Sequence, residues 1–400
     1  MNLALYDVTL SGHHGAYITV VAKEAVKRGW RVSAIVPKPE GEHPALKVLQ
    51  QVIGAENTIL TDHWVAPMNY SSPLSRIGRH LSQYHAASRS LRDCKTPWDF
   101  VYASNLDYMS RAIQFLGAPS YPAPMGGMFM SATFHMARRG IQSAESRTRS
   151  SLERIVFQRL LRAKGITCIT TADPSLHEYA RTQKAPEFAK VKFVPEIGMD
   201  PPRIQKSEAR ARFGIADDDR VILVFGMVTK RKGIKDLLNA LATHKRDTRL
   251  KVLVVGEADA EITSFLRSFD EKNSHNHPLL TTHLEFADAA TEEAAFAASD
   301  AVWVAYRQHS VTSGVFYQAI CCGIPVITAD YGVLPWLTAK YGVGISVSLD
   351  DPRATGERIA DLLADEAQYA AYCRQAQAIR EPHLPGNFAR AICDAIVESV

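Results

Sequence analysis

Residues 299–336, SDAVWVAYRQHSVTSGVFYQAICCGIPVITADYGVLPW, decide the fold that we expect for this chain. Residues 302–306 predict a short buried strand, Gly314–Cys322 predicts an amphipathic helix, and residues 324–328 predict the next strand. Gly323 predicts the end of the helix, because glycine readily adopts the left-handed conformation of a helix C-cap. A strand, a helix and a second strand in this order form a βαβ unit.

The predicted helix begins with Ser313, Gly314 and Val315. The first turn of a helix carries backbone N–H groups without partners and the positive end of the helix dipole. Glycine also allows an anion to approach the backbone closely, so the segment is suited to a diphosphate. The alternative is that Gly314 only closes a tight turn between strand and helix.

Other strands and helices alternate along the chain in the same way. Strands are predicted at residues 3–8, 31–36, 99–103, 128–133, 166–171, 220–225, 251–256 and 283–287. Alternation of this kind predicts an α/β fold with parallel, doubly wound sheets. A chain of 400 residues is long enough for two domains. We place them at residues 1–195 and 207–375, joined by a proline-rich linker at 196–206 and followed by a helical segment at 376–400 that returns toward the first domain.

Composition limits the possible locations and partners. No run of apolar residues is long enough for a membrane span, and no secretion leader is recognisable at the start, so we expect a cytoplasmic protein. The six cysteines form no metal-type pair and are expected to be reduced. Residues 1–200 hold 24 Lys and Arg against 16 Asp and Glu, whereas residues 201–400 hold 22 against 26. The N-terminal half is therefore expected to face an anionic partner.

The densest basic segment is residues 138–164, with eight basic side chains and two acidic ones in a helical pattern. Its apolar positions predict a stripe that faces the core: Leu152, Ile155, Val156, Phe157, Leu160 and Leu161. One interpretation is a packed helix with a solvated basic face. The other is docking, peripherally, to an anionic membrane surface or a phosphorylated acceptor. We do not expect a nucleic-acid partner, because neither half is strongly basic and no recognition module is visible.

Several longer motifs resemble one enzyme family over nearly the whole chain. They are GMVTKRKGIKDLLNAL at 226–241, KVLVVG at 251–256, HLEFAD at 283–288 and QAICCGIPVIT at 318–328. With these motifs the chain resembles the GT-B glycosyltransferases, most closely the large retaining family 4. The resemblance implies two Rossmann-like domains facing a cleft, an N-terminal domain that binds the acceptor, and a C-terminal domain that binds a nucleotide sugar.

The resemblance also implies which residues bind the donor. Lys232 matches the family lysine on the donor phosphates, and Arg231 is expected to assist it in catalysis. A cation there suits the chemistry, because the leaving nucleoside diphosphate gains charge as the glycosidic bond breaks. The usual arginine after the first glycine is replaced by Met227. The full donor-binding set implied is Gly12, Gly15, Gly226, Lys232, Phe286, Ser310, Ser313, Gly314, Val315 and Gln318.

In the N-terminal half, His135 matches a histidine that lies near the reacting sugar in the family. We expect it to be catalytic and to contact the acceptor; the alternative is an ordinary histidine at a core edge. Gly12 and Gly15 match a loop that brings donor and acceptor close to the backbone. His13, which replaces a frequent glycine of this loop, and His14 are assigned to the acceptor site.

The main departure from the family concerns a pair of glutamates that many members carry. The first falls on Ser310 and the second on Gln318. Glutamine can hydrogen-bond a ribose hydroxyl and serine can contact the donor sugar, but neither supplies a carboxylate. Gln318 is alternatively a plain surface residue of its helix.

No metal site and no cofactor are predicted. Asp217, Asp218 and Asp219 resemble the acidic metal motif of another glycosyltransferase fold, but they precede a strand and are better explained as a polar turn. His275 and His277 have no neighbouring ligand at a suitable spacing. The GT-B mechanism does not require a divalent metal.

The first hypothesis is therefore a retaining glycosyltransferase that uses a UDP-, GDP- or similar nucleotide sugar. Its acceptor would be a sugar, a lipid-linked or another anionic molecule, as in surface-polysaccharide or glycolipid assembly. The second is a catalytically silent GT-B subunit that supports a partner glycosyltransferase, as the lost carboxylates and Met227 would allow. A third, a related sugar-nucleotide epimerase, would need an acid and a base carboxylate that the sequence does not identify.

Overall fold

The computed structural model describes residues 1–10, 13–62, 73–94, 97–142, 147–243, 249–273 and 280–400. They form two compact units. Unit 1 comprises Met1–Arg139, Glu145–Glu196 and Pro385–Val400, and unit 2 comprises Gly140–Ala144 and Ile197–Leu384. Of the predicted site, Gly12 lies outside the described residues, as do His275 and His277; His13 is described by its backbone alone. The domain boundaries at residues 195, 207 and 375 stay predictions.

Unit 1 is built on a seven-stranded parallel sheet with the order β3-β2-β1-β4-β5-β6-β7. The chain runs outward from β1 first to one side and then to the other, which makes the sheet doubly wound. The elements of the first part of the chain are β1 Asn2–Tyr6, α1 His13–Lys27, β2 Arg31–Pro37, α2 Pro44–Ile53, β3 Thr58–Thr61, α3 Pro73–Asp93, β4 Phe100–Ala103, α4 Ser110–Leu116, β5 Met125–Met128, α5 Arg147–Arg162, β6 Ile166–Thr171, α6 Pro174–Arg181 and β7 Val191–Phe193.

Strand β5 is displaced from the strand predicted at residues 128–133. Its central residues are Gly126 and Gly127, which have no side chains and therefore contribute nothing to an apolar strand pattern. A Cβ atom at Gly127 would lie 2.5 Å from the carbonyl oxygen of Ala103, and one at Gly126 would lie 2.9 Å from Cys168. The two neighbouring strands therefore pack so closely on β5 that glycine is required, and the apolar residues Phe129, Met130, Ala132 and Phe134 follow the strand.

Unit 2 is built on a six-stranded parallel sheet with the order β10-β9-β8-β11-β12-β13. Its elements, with the last helix of the chain, are α7 Lys206–Arg212, β8 Arg220–Phe225, α8 Ile234–Thr243, β9 Leu250–Val255, α9 Ala260–Asn273, β10 Leu280–His283, α10 Ala289–Ala298, β11 Ala301–Val304, α11 Gly314–Cys322, β12 Val326–Ala329, α12 Val333–Tyr341, β13 Gly344–Val347, α13 Pro352–Ala364, α14 Glu366–Ile379 and α15 Pro385–Val397. The predicted fold class, two doubly wound parallel sheets, is confirmed.

The chain end divides between the units. Helix α14 belongs to unit 2, whereas α15 belongs to unit 1 and packs on α1, where the Phe388 and Tyr17 rings lie 4.9 Å apart. Burial of Phe388 and of the apolar face of α15 stabilises this arrangement, because apolar surface is removed from water. The predicted return of the C-terminal helices toward the first domain is thus confirmed for α15.

The apolar stripe predicted for the basic helix is correct only in part. On α5, the side chains of Phe157, Leu160 and Leu161 are buried in the core of unit 1, as predicted. Leu152 is 60% exposed and Ile155 is 46% exposed, so these two positions do not face the core. Leu152 and Ile155 share one side of α5, because residues three apart lie on the same helix face, and this side is exposed to solvent.

Two further properties of the described residues concern the helices and the cysteines. None of the helices described combines the length and the apolar character needed to cross a membrane. All six cysteines are free thiols. Burial raises the pKa of the Cys321 thiol to about 11.

Candidate functional site at the carboxyl edge of the second sheet

The two central strands of the unit 2 sheet, β8 and β11, mark the point where the strand order reverses. Ligands of doubly wound sheets bind in the crevice outside the carboxyl ends of the strands at such a point. Gly226 follows directly after β8, and Tyr306 follows two residues after β11. The residues that surround these two positions form the candidate site.

Lys232 is placed by a short 3-10 turn, Lys230–Lys232, that follows β8. The indole N–H of the buried Trp303, on β11, donates to the carbonyl oxygen of Lys232 at 2.9 Å. Gly233 ends the turn with φ at 68°, and a Cβ there would lie 2.5 Å from the carbonyl oxygen of Ala305. A left-handed residue without a side chain is therefore required for the turn to pack against β11.

The Lys232 ammonium is the most unusual group of the site. The residue is only 6% exposed, and Nζ donates to the carbonyl oxygen of Phe225 at 2.7 Å and to the hydroxyl oxygen of Tyr306 at 3.1 Å. Nζ also lies 4.7 Å from the centre of the Tyr306 ring. Among the described residues no carboxylate forms an ion pair with it, and an ammonium has three donors, of which these bonds use two. A buried positive charge without a counter-ion is costly unless a ligand supplies the negative charge.

Arg231 also lies over the Tyr306 ring and contacts a histidine. Its guanidinium carbon is 5.2 Å from the centre of the Tyr306 ring, and Nη1 is 3.3 Å from Nδ1 of His309. A guanidinium only donates, so Nδ1 accepts; Nε2 therefore carries the proton and donates to the carbonyl oxygen of Thr312 at 3.1 Å. Burial, together with the charge of Arg231, lowers the pKa of His309 to about 4, so the imidazole is neutral at pH 7.

The backbone next to His309 is held in an uncommon conformation. Gln308 has φ at 53°, a left-handed value for a residue with a side chain. Its neighbour Arg307 forms two hydrogen bonds of 2.8 Å with the Asp236 carboxylate on α8. These bonds fix the loop after β11, and the turn at Gln308 directs His309 toward Arg231.

Helix α11 begins at this loop with the bounds that the sequence predicts. Ser313 precedes it with extended backbone angles and makes no side-chain cap; its Oγ lies 3.3 Å from the Tyr306 hydroxyl. No described residue accepts a hydrogen bond from the backbone N–H of Gly314 or Val315, and a Cβ at Gly314 would meet nothing within 4 Å. The helix start is therefore open to an anion and lies beside the Lys232 and Tyr306 pair.

Ser310 and Gln318, the positions of the missing glutamates, both have partners. Ser310 Oγ donates to the Tyr331 hydroxyl at 3.2 Å. Gln318 Nε2 donates to Oε1 of Glu292, on helix α10, at 2.5 Å. Burial raises the pKa of Glu292, although the bond from Gln318 opposes this. A carboxylate therefore does lie at the Gln318 position, but it comes from a different helix.

Two more predicted donor residues, Gly226 and Phe286, follow strands of the same sheet. Gly226 has φ at 87°, and a Cβ there would approach Nζ of Lys232 to 3.6 Å. Met227, in the position of the usual arginine, is 56% exposed. A strand was predicted at residues 283–287, but β10 ends at His283. Phe286 therefore lies outside the strand. It lies in the loop between β10 and α10 and is 74% exposed, an unusual position for a large aromatic ring.

In unit 1 a buried carboxylate accompanies one of the predicted acceptor residues. Asp7 follows β1, and its Oδ1 lies 3.1 Å from Nδ1 of His14, at the start of α1. Gly15 has a packing role, because a Cβ there would lie 2.5 Å from the Ala45 Cβ and 2.8 Å from the carbonyl oxygen of Leu10. At Gly15 the backbone of α1 therefore packs closely against α2 and against the loop that follows β1.

His135 is fully buried in unit 1. Its Nε2 lies 3.1 Å from Oδ2 of Asp173 and 2.8 Å from Oγ of Ser175, and no described residue bonds its Nδ1. Burial raises the pKa of Asp173, but the hydrogen bonds from His135 and Ser175 outweigh burial and leave this pKa below its usual value. In this arrangement the ring presents no atom to solvent, so contact with a sugar would require the ring to move.

Sequence reasoning missed Tyr306, His309 and Glu292. Tyr306 and His309 follow the carboxyl end of β11, within the segment that decides the fold, and their position after the strand was a usable signal. Glu292 had no such signal, because its contact with Gln318 joins residues 26 positions apart on two helices. The Asp217–Asp219 segment forms a turn, as predicted, in which Asp219 Oδ2 accepts from the backbone of Ala216.

A family model matches much of unit 2. Residues 205–379, the greater part of unit 2, match the family model described as glycosyl transferases group 1. No curated protein matches the sequence. The resemblance to GT-B glycosyltransferases is confirmed by this match and by the fold, and the family match supports sugar transfer as the activity. The placement in retaining family 4 stays a prediction.

Solved structures match the chain over its full length. The sucrose-phosphate synthase of Thermosynechococcus elongatus is 17% identical with a TM-score of 0.66, and the match covers 100% of this chain and 98% of that one. Anabaena Alr3699/HepE, solved with UDP and glucose, is 16% identical with a TM-score of 0.65 and full coverage of both chains. WaaG, a glycosyltransferase involved in lipopolysaccharide biosynthesis, is 16% identical with a TM-score of 0.61, covering 99% and 98%. At these identities the matches establish the shared fold.

Proposed function

We propose that this protein transfers a sugar from a nucleoside-diphosphate sugar to an acceptor hydroxyl. The observation that carries the proposal is the buried Lys232 ammonium, without a described carboxylate partner, beside the open start of α11. Two phosphates would supply the missing negative charge. The binding of UDP by the Anabaena HepE protein supports a donor of this class, which for this chain is a UDP-, GDP- or similar nucleotide sugar.

The proposed catalysis is electrostatic. As the glycosidic bond breaks, negative charge develops on the diphosphate, and groups already aimed at this charge lower the barrier. Lys232, Arg231 and the N–H groups of Gly314 and Val315 would fill this role. These groups make a divalent metal unnecessary, so the proposed mechanism is metal-independent and uses no cofactor. Retention of configuration, with the departing phosphate as the base for the acceptor hydroxyl, is the proposed stereochemical course.

The other predicted donor residues fit the same pose. Gly226 would allow the diphosphate to approach the backbone, and Ser313 and Ser310 would contact phosphate or sugar. Phe286, exposed in the loop between β10 and α10, would stack on the nucleotide base, because an aromatic face is a good platform for a planar base. For the acceptor we propose the carboxyl edge of the unit 1 sheet, where His14 lies with Asp7, together with His13 and His135.

We further propose that the N-terminal unit docks peripherally to an anionic membrane surface from the cytoplasmic side. Four large apolar side chains are exposed on α4 and α5: Phe115 at 71%, Leu116 at 53%, Leu152 at 60% and Ile155 at 46%. Arg159 lies over the Phe115 ring, with its guanidinium carbon 5.8 Å from the ring centre. Apolar side chains next to basic ones are typical of surfaces that bind anionic lipids. A lipid-linked acceptor would be presented there.

Activity is tested by measuring the nucleoside diphosphate that is released from a panel of UDP- and GDP-sugars, with and without lipid and sugar acceptors. We expect release that depends on one donor and is lost in Lys232→Met. The matched control is Lys235→Met, an exposed lysine of α8 paired with Glu261. Tight donor binding without turnover on any acceptor would instead favour the catalytically silent subunit, because Ser310 and Gln318 replace carboxylates.

Membrane docking is tested by flotation with vesicles that contain anionic lipid. Leu152→Asp combined with Ile155→Asp should abolish flotation, because two charges would be placed in the apolar contact. Val48→Asp, on an exposed position of α2 in the same unit, is the matched control and should float like the wild type. Equal flotation of all three proteins would contradict docking through this face, and so would binding that does not weaken as salt is raised.

A further inference from the structure

Glu292 is a half-buried carboxylate for which neither the fold nor the motifs provide a reason. It lies in the first turns of α10, and its Oε1 accepts a 2.5 Å hydrogen bond from Nε2 of Gln318 on α11. No described residue donates to its second oxygen, Oε2. Its neighbour Glu293 has a plain structural role, because its Oε1 accepts from the backbone N–H of Arg203 at 2.6 Å.

The place of this carboxylate relative to the phosphate site follows from helix geometry. Gln318 lies four residues after Gly314, so it occupies the same face of α11 one turn further along. The Gly314 end faces Ser313, Tyr306 and Lys232. One turn is about 5.4 Å, so the ribose, which is bonded directly to the diphosphate, is within reach of this pair when the diphosphate is bound at the helix start.

The chemistry of the pair suits a ribose. Hydroxyl groups are hydrogen-bond donors, and an ionised carboxylate is the strongest acceptor among side chains. Gln318 holds one oxygen of Glu292 and leaves the other for a ligand. Phe286 lies in the loop that precedes α10, so an exposed aromatic platform and the carboxylate are provided by adjacent parts of the chain.

From these observations we infer that Glu292, oriented by Gln318, accepts hydrogen bonds from the ribose hydroxyls of the donor nucleotide. This inference rests on the proposed function. It assigns to Glu292 a carboxylate role that neither Ser310 nor Gln318 can perform, and it makes the site selective for ribonucleotides over deoxyribonucleotides.

The test is calorimetric titration of the full chain with UDP, GDP and ADP and with their 2′-deoxy and 3′-deoxy analogues. For the ribonucleotide that binds the wild type, the Kd should be lower than that of its deoxy analogue by roughly tenfold or more. The analogue lacks a hydroxyl and therefore loses a hydrogen bond to a charged group. In Glu292→Gln this ratio should fall severalfold, while Glu357→Gln, which neutralises an exposed carboxylate of α13, should leave it unchanged.

A swap of the two side chains separates a ligand role from a structural one. Gln318→Glu alone places two carboxylates together and should weaken nucleotide binding. Glu292→Gln combined with Gln318→Glu restores one amide and one carboxylate and should restore the preference for the ribonucleotide. Glu292→Ala provides a second removal of the carboxylate, with thermal unfolding as the check on folding.

The possible failures can be distinguished. If a ribonucleotide binds in a Lys232-dependent way but its preference over the deoxy analogue is absent, or is unchanged in both Glu292 variants, the inference is wrong and the proposed function stands. If none of the nucleotides binds the wild type, both are overturned.

Discussion

Replacing Lys232 by methionine removes the buried ammonium and keeps a side chain of nearly the same length. The structure predicts a small effect on folding and a large effect on nucleotide binding. The variant loses the bonds to Phe225 and Tyr306, each worth about 1.5–3 kcal/mol because the donor is charged, but it no longer buries a charge without a described counter-ion, which costs several kcal/mol. These contributions oppose each other, so the free energy of unfolding without ligand should change by less than about 2 kcal/mol.

Nucleotide binding should respond much more strongly. The third N–H of the ammonium would bond a phosphate oxygen, and a hydrogen bond between charged groups contributes about 1.5–3 kcal/mol. Its loss should raise the Kd for the nucleoside diphosphate roughly tenfold to hundredfold. The rate of sugar transfer should fall further, because the lost charge also stabilises the leaving group in the transition state.

The assay is chemical unfolding of the ligand-free proteins together with calorimetric titration of the same samples. Lys235→Met serves as control, because this lysine is exposed and paired with Glu261. The reasoning is refuted if Lys232→Met binds nucleotide as tightly as the wild type. It is also refuted if the variant loses binding only because it unfolds, since Lys232 would then be a structural residue.

Three further predictions follow from local geometry. Gly233→Ala should destabilise unit 2 by about 1–3 kcal/mol in chemical unfolding, because it adds a Cβ 2.5 Å from the Ala305 carbonyl oxygen at a left-handed position; a neutral effect would contradict the placement of the turn. Gly15→Ala should cost about as much, because the added Cβ would lie 2.5 Å from that of Ala45, and an unchanged midpoint would argue for a ligand role instead. His309→Gln should remove part of the acid sensitivity of folding. The folded pKa of His309 is about 4 and the unfolded pKa about 6.5, so the unfolded state binds more protons and stability falls as pH is lowered from 6.5 to 4. Equal slopes of unfolding free energy against pH in wild type and variant over this window would contradict the burial of His309.

The sequence predicted best those parts of the fold where local signals agree. Helix α11 begins at Gly314 and ends at Cys322 as predicted, because a small-residue start, an apolar face and a C-cap glycine all indicate the same bounds. Lys232 was found through its motif, and the structure adds the reason for its position: the turn at Gly233 and the hydrogen bond from Trp303. Neither of these contacts has a local sequence signature.

The errors arose where distant residues decide the structure. Strand β5 contains Gly126 and Gly127, which no strand propensity favours, and is held by its neighbours β4 and β6. Leu152 and Ile155 continue an apolar helical pattern yet face outward, because a pattern does not reveal where the core ends. The contact of Glu292 with Gln318 depends on how α10 and α11 pack. The motif alone therefore indicated that a carboxylate is missing at position 318, whereas the structure places the carboxylate of Glu292 there.

The most direct test of the central claim is a calorimetric and thermal-shift screen of the wild-type protein against UDP, GDP, ADP and dTDP and their common sugars. The account predicts selective binding and stabilisation by one nucleotide and its sugars. The absence of binding by all of them would contradict the assignment of a donor site to Lys232, Arg231 and the start of α11.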